Sequence, residues 1–475
     1  MMGERRHLII GAGYAGNGVA KAFKDAGVPY DQIERNDYVG GNWADGVYDS
    51  THIISSRDST QYGDYPMPRH YPDFPSREQV LAYLNAYVDE FGLREGIEFG
   101  TEVVRCEPLE SAAESAAGRP RTPDGMAGWQ AVLCLPDGSE GVRHYAGVVV
   151  ANGHHWDKRF PDFPGRFTGR VLHSKDYKRV ADLQGPRVLV VGGGNSACDV
   201  AVEAAGAFGG ADLSVRRGYW FLPKSFLGIP LAEWDRPFLP LWAQRRVIKL
   251  VARLTFGRYE RYGLPEPDHR PFDKHPTVNS QLLYALRHGR VRARPDIDRL
   301  DGRTVHFADG TSGEYDTIVW ATGFHISFPF LDRRLFRWQR GVPLRVGGVL
   351  VPGIANLYVF GVLQPRGGAG PLISAGARLL AKMVRLQERL DHPLADDVAR
   401  LEPPSTKMLV GVSETMRRIA AADRIGLPLI ERANRIRRRT LARPPAIPPP
   451  SPSQNGAAPT NGHVPAPPVE RTAVY

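Results

Sequence analysis

Twice in this chain an apolar strand runs into a glycine-rich turn and then into a helix, and this repeated unit constrains the fold more than any other feature. The first unit covers residues 7–23 and the second covers residues 187–204. Such a strand buries its side chains in a parallel sheet, which helices cover on both faces. The sequence therefore predicts an α/β protein with two Rossmann-like dinucleotide-binding domains.

The first glycine turn has the spacing that a bound pyrophosphate requires. Gly11 allows a tight turn, Gly13 lets the backbone approach the phosphates, and Gly16 lets the helix pack closely on the strand. Glu34 stands where a carboxylate accepts hydrogen bonds from ribose hydroxyls and repels a 2′-phosphate. This site is predicted to bind FAD or NAD rather than NADP, through Gly11, Ala12, Gly13, Tyr14, Ala15, Gly16 and Glu34.

The second glycine turn carries the opposite charge at the matching position. Arg216 occupies nearly the same offset from its turn as Glu34 does from the first, and Arg217 follows it. A guanidinium there matches a 2′-phosphate with two parallel hydrogen bonds. The second site is therefore predicted to bind NADPH, through Gly192, Gly194, Asn195, Ser196, Ala197, Arg216 and Arg217.

One glycine motif alone is a weak signal, because an ordinary turn of any α/β protein matches it. Two such units that differ in charge at equivalent positions favour two bound dinucleotides. FAD together with NADPH implies a hydride relay, in which the flavin performs the chemistry and the protein positions it.

Cysteine content, hydropathy and charge exclude other classes. Cys106, Cys134 and Cys198 are the only cysteines and none are spaced as CxxC, which argues for a cytoplasmic location and against dithiol chemistry or a metal site. No segment has the roughly 18 consecutive apolar residues of a membrane helix. Residues 401–443 carry ten cations against four acids, which accounts for most of the net charge of +10. Because no binding motif accompanies them, we predict no nucleic-acid partner.

The pattern FxGxxxHxxxY, formed by Phe167, Gly169, His173 and Tyr177, lies between the two units. With it the sequence resembles the class B flavin-dependent monooxygenases, in particular the flavin-containing monooxygenases. The similarity runs from about residue 7 to about residue 390. It includes GGGNSACD at 192–199, DTIVWATGF at 316–324 and GGNW at 40–43.

The resemblance implies an FAD domain that is discontinuous in sequence, with the NADPH domain inserted into it. We expect the FAD domain at 1–184 and 319–443, including C-terminal helices, and the NADPH domain at 185–318. Residues 444–475, with ten prolines, are predicted to form a disordered tail. Further cofactor contacts are expected from Gly41, Asn42, Trp43, Ser55, Thr322, Gly323 and Gln364.

In the implied reaction NADPH reduces FAD, and the reduced flavin and O2 form a flavin hydroperoxide in a dry site. This species oxygenates a soft nucleophile, an amine nitrogen or a sulfide sulfur, of a small organic substrate. Many family members carry an Asn that contacts the flavin or the oxygen intermediate, but this chain has Ile54 there, which cannot donate a hydrogen bond. Ser55, Ser56 and Arg57 are the remaining candidates for catalytic contacts.

Several alternatives stay open. Baeyer–Villiger oxygenases of this class typically end the linking pattern with Trp and then Pro or Asp, whereas Tyr177 is followed by Lys178, which favours heteroatom oxygenation over oxidation of ketones or aldehydes. A disulfide-reductase-like flavoprotein would need two close cysteines. An uncoupled NADPH oxidase, a non-enzymatic flavoprotein and a homodimer are further alternatives.

Two helices are predicted outside the glycine units. A capping box of Ser76 and Gln79 announces the first, whose buried stripe is predicted to be Val80, Leu84, Tyr87 and Phe91. The second, in the aromatic-rich segment 219–257, has Arg245, Lys249 and Arg253 on one face and Val247, Val251 and Leu254 on the other. We interpret it as a substrate lid or a domain-interface helix, with peripheral membrane contact as the alternative.

Overall fold

The computed structural model describes residues 5–109, 128–234 and 239–441. The predicted Pro-rich tail at 444–475 lies outside the described residues. The chain divides into a large unit, Met1–Glu431, and a small unit, Arg432–Tyr475, of which the described residues 432–441 are helical.

Helices cover one face of each main sheet, and smaller antiparallel or mixed sheets cover the other. The α-helices of the described residues are α1 (Tyr14–Ala26), α2 (Arg57–Thr60), α3 (Arg77–Glu90), α4 (Asn195–Phe208), α5 (Leu241–Phe256), α6 (Gln281–Arg287), α7 (Gly370–Gln387), α8 (Leu394–Leu401), α9 (Val412–Ala421) and α10 (Leu427–Leu441). Short 3-10 turns lie at Gly41–Trp43, Arg94–Gly96, Val180–Asp182, Leu231–Trp234, Tyr259–Tyr262 and Arg333–Leu335, and a π-helical turn lies at Ala422–Gly426. Within the described ranges, no helix combines the length and the apolar content needed to cross a bilayer.

The strands are short, and the strands at the centre of each main sheet are fully buried. They are β1 (His7–Ile10), β2 (Tyr30–Ile33), β3 (Ile97–Glu98), β4 (Glu102–Pro108), β5 (Trp129–Cys134), β6 (Glu140–Tyr145), β7 (Gly147–Val150), β8 (Asp157–Lys158), β9 (Gly165–Phe167), β10 (Arg170–His173), β11 (Val188–Val191), β12 (Ala211–Ser214), β13 (Phe221–Leu222), β14 (Ser225–Phe226), β15 (Ile229–Pro230), β16 (Thr277–Val278), β17 (Val291–Arg294), β18 (Ile297–Gly302), β19 (Thr304–Phe307), β20 (Ser312–Glu314), β21 (Thr317–Trp320), β22 (Phe324–His325), β23 (Trp338–Gln339), β24 (Val342–Pro343), β25 (Leu357–Val359), β26 (Gln364–Pro365) and β27 (Leu409–Val410).

The first main sheet has the order β25–β7–β1–β2–β3, and all its strands run parallel. Alternate residues of β1 face opposite sides of it, as the two-residue repeat of a strand requires. Ile9 packs into a core shared with α1, α3 and α7. Leu8 and Ile10 pack into a second core, which the antiparallel meander β4–β5–β6 covers. The sheet is therefore buried on both faces, and its glycine turn emerges at the carboxyl edge.

The second main sheet has the order β10–β21–β11–β12–β17 and is also entirely parallel. One face packs on α4 and α6, and the other packs on β9, β18 and β19. Its strands begin at Arg170 and reach Trp320, so they extend beyond the predicted limits 185–318 at both ends. The two-Rossmann α/β architecture predicted from the sequence is confirmed.

The two helices predicted outside the glycine units differ in outcome. Ser76 and Gln79 form the expected reciprocal capping box at the start of α3, and Phe91 lies just past its end, partly buried. In α5, Val251 is buried as a member of the apolar face, but Val247 and Leu254 are exposed. Ile248 and Ala252 are buried instead, because ion pairs to Asp273 and Glu266 turn Arg245 and Arg253 toward the protein.

Candidate active site

The first glycine turn joins β1 to α1, and its glycines are there because the backbone has no room for side chains. Gly11 has a φ of +106°, and a Cβ on it would lie 2.9 Å from the carbonyl oxygen of Ala151 at the end of β7. A Cβ on Gly16 would lie 2.0 Å from the carbonyl oxygen of Gly11. The start of α1 is thereby held against β1. No side chain caps this helix and its first turn holds no acid, so its free N–H groups can receive an anion.

Glu34 lies directly against this turn. Its Oε2 accepts a hydrogen bond from the Ala12 N–H (2.8 Å), and its Oε1 accepts hydrogen bonds from the backbone and side chain of Asn36 (3.0 and 2.9 Å). The carboxylate is buried and fixed in orientation beside the turn. It keeps free acceptor capacity, since an ionised carboxylate has about four acceptor positions.

The second glycine turn joins β11 to α4 with the same geometry. Gly192 has a φ of +139°, and a Cβ on it would lie 2.4 Å from the carbonyl oxygen of Ala321, the residue after β21. Ala197 is fully buried where the first turn has Gly16. Gly194 has nothing within 4 Å of its added Cβ position, so its backbone faces open space. Thr277 Oγ1 donates to the carbonyl oxygen of Gly193 (2.7 Å) and holds the turn.

Arg216 and Arg217 follow β12 and line the same open space. In residues 5–109, 128–234 and 239–441, neither guanidinium has a carboxylate within ion-pair distance, and Arg217 lies over the Tyr219 ring at 5.5 Å. Asp296, just after β17, also borders this end. Two exposed cations against one acid leave the end positively charged, as a 2′-phosphate site requires.

A single cavity of about 980 Å³ runs from the second glycine turn to the region of Trp43 and α7. The predicted site residues that line it are Tyr14, Asn42, Trp43, Ser55, Gly192, Gly194, Asn195, Ser196, Ala197, Arg216, Arg217, Thr322, Gly323 and Gln364. The predicted residues that do not line it are Gly11, Ala12, Gly13, Ala15, Gly16, Glu34, Gly41, Ser56, Arg57, Phe167, Gly169, His173 and Tyr177.

The cavity residues near Trp43 in sequence mix apolar side chains with polar ones such as Asn42 and His52. Ile54 lines the cavity, as the sequence led us to expect, and Ser55 Oγ lies 2.6 Å from Thr60 Oγ1. The start of α7 also lines the cavity through Ala369. A Cβ on the first residue of α7, Gly370, would lie 1.8 Å from the carbonyl oxygen of Gln61, so this glycine accommodates the chain after α2.

Two of the three catalytic candidates are held by other contacts. Ser56 is buried and caps α2 through a reciprocal pair of hydrogen bonds with Ser59. Arg57 donates to the carbonyl oxygen of Tyr71 (2.7 Å) and pairs with Asp58. Ser55 is the one of the three that faces the cavity.

The residues of the linking pattern contact the second main sheet and its helix α4. Gly169 lies where a Cβ would come 2.6 Å from the carbonyl oxygen of Asp316. His173 ends β10 and lies 3.1 Å from the carbonyl oxygen of Gly323. Tyr177 is fully buried and donates from its hydroxyl to Glu203 of α4 (2.5 Å), so its pKa is raised by burial and by that carboxylate.

Several cavity residues lie outside any motif, so sequence reasoning missed them. Burial lowers the pKa of His155 to about 4, with help from the nearby His275, whose pKa burial also lowers, so both are neutral near pH 7. Arg159 donates from Nε and Nη2 to the carbonyl oxygen of Thr322 (3.0 and 2.6 Å). Burial lowers the pKa of Lys175. These histidines and basic residues lie in loops, where no hydrophobic periodicity or motif spacing distinguishes a cavity residue from any other.

The residues present fit two dinucleotides. At the first turn, the crowded glycines, the free N–H groups of α1 and the fixed carboxylate of Glu34 match a pyrophosphate with an unphosphorylated ribose. At the second, the open backbone at Gly194 and the unpaired guanidinium of Arg216 match a pyrophosphate with a phosphorylated ribose.

Comparison with known proteins agrees with this geometry. The chain matches the family described as Flavin-binding monooxygenase-like over residues 4–394. It is 31% identical to flavin-containing monooxygenase 5 of Oryctolagus cuniculus over 401 residues, which are 79% of this chain and 73% of the relative. It is 30% identical to dimethylaniline monooxygenase [N-oxide-forming] 2 of Rattus norvegicus over 437 residues, which are 86% and 76% of the two chains.

Solved structures share the fold. The crystal structure of OTEMO in complex with FAD and NADP superposes with a TM-score of 0.65 at 17% identity, covering 88% of this chain and 97% of that one. The family match spans both glycine turns, the linking pattern and the cavity between them. The chain therefore belongs to the flavin-binding monooxygenase-like family and is an oxidoreductase of the flavin monooxygenase type.

Proposed function

We propose that this chain uses NADPH, FAD and O2 to oxygenate a soft nucleophile, an amine nitrogen or a sulfide sulfur, of a small organic substrate. The observation that carries the proposal is the single cavity that connects the unpaired Arg216 at one end to the wall formed by Trp43 and Ile54 at the other. A nicotinamide nucleotide anchored at Arg216 would extend along this cavity toward a flavin beside Trp43.

FAD is assigned to the first glycine turn. Its pyrophosphate would meet the N–H groups at the start of α1, and Glu34 would accept hydrogen bonds from its ribose. The flavin domain would comprise residues 1–184 and 319–443, with the NADPH domain at 185–318 between them. β10 and the end of β21 lie outside 185–318 but would complete the sheet of the NADPH domain. When bound, FAD reduced by NADPH supplies the chemistry, because it activates O2 and transfers one oxygen atom to the substrate.

The chain's own residues hold the nicotinamide nucleotide and keep water out. Arg216 and Arg217 would bind the 2′-phosphate, and the turn at Gly194 would bind the pyrophosphate. Apolar side chains also line the cavity, among them Ile53, Ile54, Leu363 and Phe324. An apolar, water-poor wall slows hydrolysis and the release of peroxide.

The substrate would be attacked as a neutral nucleophile. Among the described residues that line the cavity, the only carboxylate is Asp296, which lies at the nucleotide end. A cationic ammonium therefore finds no counter-ion beside Ile54 and Ser55, whereas a free amine or a sulfide needs none. The name of the rat relative, N-oxide-forming, supports an amine substrate. Among the described residues that line the cavity, no carboxylate lies next to Ile54 in sequence, which supports a sulfide substrate because a sulfide carries no charge.

The test measures oxygen uptake, NADPH oxidation and released peroxide with a panel of tertiary amines, sulfides and ketones. The proposal expects an N-oxide or a sulfoxide in proportion to the NADPH oxidised. Esters or lactones from the ketones would assign the Baeyer–Villiger alternative. Peroxide with no oxygenated product across the whole panel would contradict the proposal and leave an NADPH oxidase.

A further inference from the structure

A direct contact between two side chains connects the inner cavity to an outer groove. His52 lines the inner cavity, two residues before Ile54. Lys224, after β13, lines the outer groove of about 220 Å³ together with Ser225, Asn279, Ser280 and Gln281. Lys224 Nζ and His52 Nε2 are in hydrogen-bonding contact. One side chain thus faces each compartment, and the pair forms the wall between them.

The partners of the imidazole ring fix where its proton lies. His52 Nδ1 is 3.3 Å from the carbonyl oxygen of Ser50, which only accepts, so Nδ1 carries the hydrogen of the neutral ring. Nε2 is then an acceptor, and the ammonium of Lys224 donates to it. The pair is therefore aligned for transfer of one proton from Lys224 to His52.

The surroundings of Lys224 favour such a transfer. Burial lowers the pKa of Lys224, and Asp199 of α4 partly offsets this. The ring of Phe74 lies 6.0 Å from Nζ. In the described part of the chain, no ion pair holds the ammonium, and the groove beside it is open to solvent. Lys224 can thus lose its proton inward and regain one from water.

The reaction needs this proton. In the proposed function, on which this inference rests, NADPH, O2, the substrate and one H⁺ give NADP⁺, water and the oxygenated product. Hydride and substrate supply the four electrons that reduce O2, and the second hydrogen of the water comes from solvent. The contact of Lys224, which lines the outer groove, with His52, which lines the inner cavity, offers a route for it.

We propose that Lys224 and His52 form a proton relay that carries one proton per turnover from the outer groove into the inner cavity. Lys224 transfers a proton to His52 Nε2 and is reprotonated by water in the groove. Rotation of the imidazolium, which only the long contact at Nδ1 resists, then turns the protonated nitrogen toward the cavity. Ile54 leaves this side of the cavity without an amide, and the relay supplies a donor there.

The first experiment needs no cofactor. Diethyl pyrocarbonate modifies neutral imidazoles, and mass spectrometry follows its reaction at His52 in the protein without added nucleotide. We expect Lys224→Met to raise the rate at His52 at least about fivefold, because Nε2 loses its donor. Lys249→Met, on the exposed face of α5, is the matched control. Equal rates in Lys224→Met and wild type overturn the contact on which the relay depends.

The second experiment measures the rate of NADPH oxidation between pH 6 and 9, with and without added methylammonium. Lys224→Met and His52→Gln are each expected to lower kcat by about tenfold or more at pH 8, while KM for NADPH stays constant. Methylammonium, which can enter the outer groove, should restore Lys224→Met but not His52→Gln. Lys224→Arg should be as slow as Lys224→Met, because a guanidinium does not give up its proton.

Unchanged pH profiles, no rescue, or rescue of both variants would overturn the relay. Peroxide formation also consumes one proton per NADPH. The relay is therefore measurable even if wild type releases only peroxide, in which case the proposed function fails and the relay does not.

Discussion

His173 donates a hydrogen bond from Nε2 to the carbonyl oxygen of Gly323, 3.1 Å away, and its Nδ1 accepts one from the N–H of Lys175 (3.2 Å). These two bonds fix the tautomer of a buried ring whose pKa is lowered by burial. The histidine of the linking pattern thereby ties the end of β10 to the turn that returns the chain from the second sheet.

Removing the imidazole of His173 should lower the stability of the protein. His173→Ala leaves a cavity and leaves the Lys175 N–H without its acceptor, whereas the carbonyl oxygen of Gly323 still accepts from the Arg159 N–H. We therefore expect the free energy of unfolding to fall by about 2–3 kcal/mol. Urea unfolding followed by circular dichroism measures the change. His325→Ala is the control, because His325 is exposed and only two residues from Gly323. A loss as small as that of the control would show that the two bonds contribute nothing to stability.

Glu34 should determine the affinity for FAD. In the carboxylate of Glu34, one oxygen accepts from the Ala12 N–H and the other accepts from the Asn36 N–H. In Glu34→Gln, the NH2 group of the amide replaces one of these oxygens and faces an N–H donor, with which it cannot form a hydrogen bond. We expect the Kd for FAD to rise about 10–100-fold, since hydrogen bonds to a charged group contribute about 1.5–3 kcal/mol. Quenching of flavin fluorescence measures it, and Glu95→Gln, on the surface, is the control.

Arg216 should separate NADPH from NADH. Arg216→Ala removes a guanidinium that pairs with no carboxylate of the described residues and lines the cavity. KM for NADPH should therefore rise about 10–100-fold while KM for NADH changes little. Flavin bleaching under anaerobic conditions measures both cofactors. Arg299→Ala, exposed and paired with its neighbour Asp298, is the control. An equal rise in KM for NADPH and for NADH would contradict the assignment of Arg216 to the 2′-phosphate.

The features that the sequence predicts correctly are those that depend on residues close together in the chain. The glycine turns, the capping box at Ser76 and the buried strands depend on near neighbours, and the structure has them within a residue or two. The contact of Lys224 with His52 joins residues that are 172 positions apart in the chain, so no local pattern predicts it. The exposed side of α5 also depends on residues outside the helix, because Arg245 and Arg253 pair with Asp273 and Glu266, which lie on later loops.

His7 should make stability fall with acidity. It is fully buried, lies edge-on to Phe23 at 6.0 Å, and has its pKa lowered from 6.5 to about 4 by burial and then by Arg5. Because the unfolded chain binds this proton more readily, the contribution of His7 is complete above pH 6.5 and is lost as the pH falls toward 4. The loss amounts to about 3 kcal/mol below pH 4.

The measurement is urea unfolding at intervals from pH 7 to pH 4.5. His7→Leu should lower the slope of unfolding free energy against pH by up to about 1.4 kcal/mol per unit, which corresponds to one proton. His70→Leu, exposed on the surface, should leave the slope as it is in wild type. If the slope of His7→Leu equals that of wild type, the buried ring is not the group that titrates.

Ile54 should limit how much of the NADPH oxidised ends in product. Its side chain lines the cavity beside Ser55, whose hydroxyl is already shared with Thr60, so neither Ile54 nor Ser55 offers an N–H donor to a developing oxygen anion. Ile54→Asn adds an amide donor on a smaller side chain. We expect the share of NADPH that appears as peroxide to fall about threefold or more, since one well-placed donor contributes about 3 kcal/mol at an oxyanion. Peroxide and oxygenated product are measured side by side with a sulfide. Ile54→Leu keeps the wall apolar and should leave the ratio unchanged. A lower peroxide share in Ile54→Leu as well would assign the effect to packing rather than to the donated hydrogen bond.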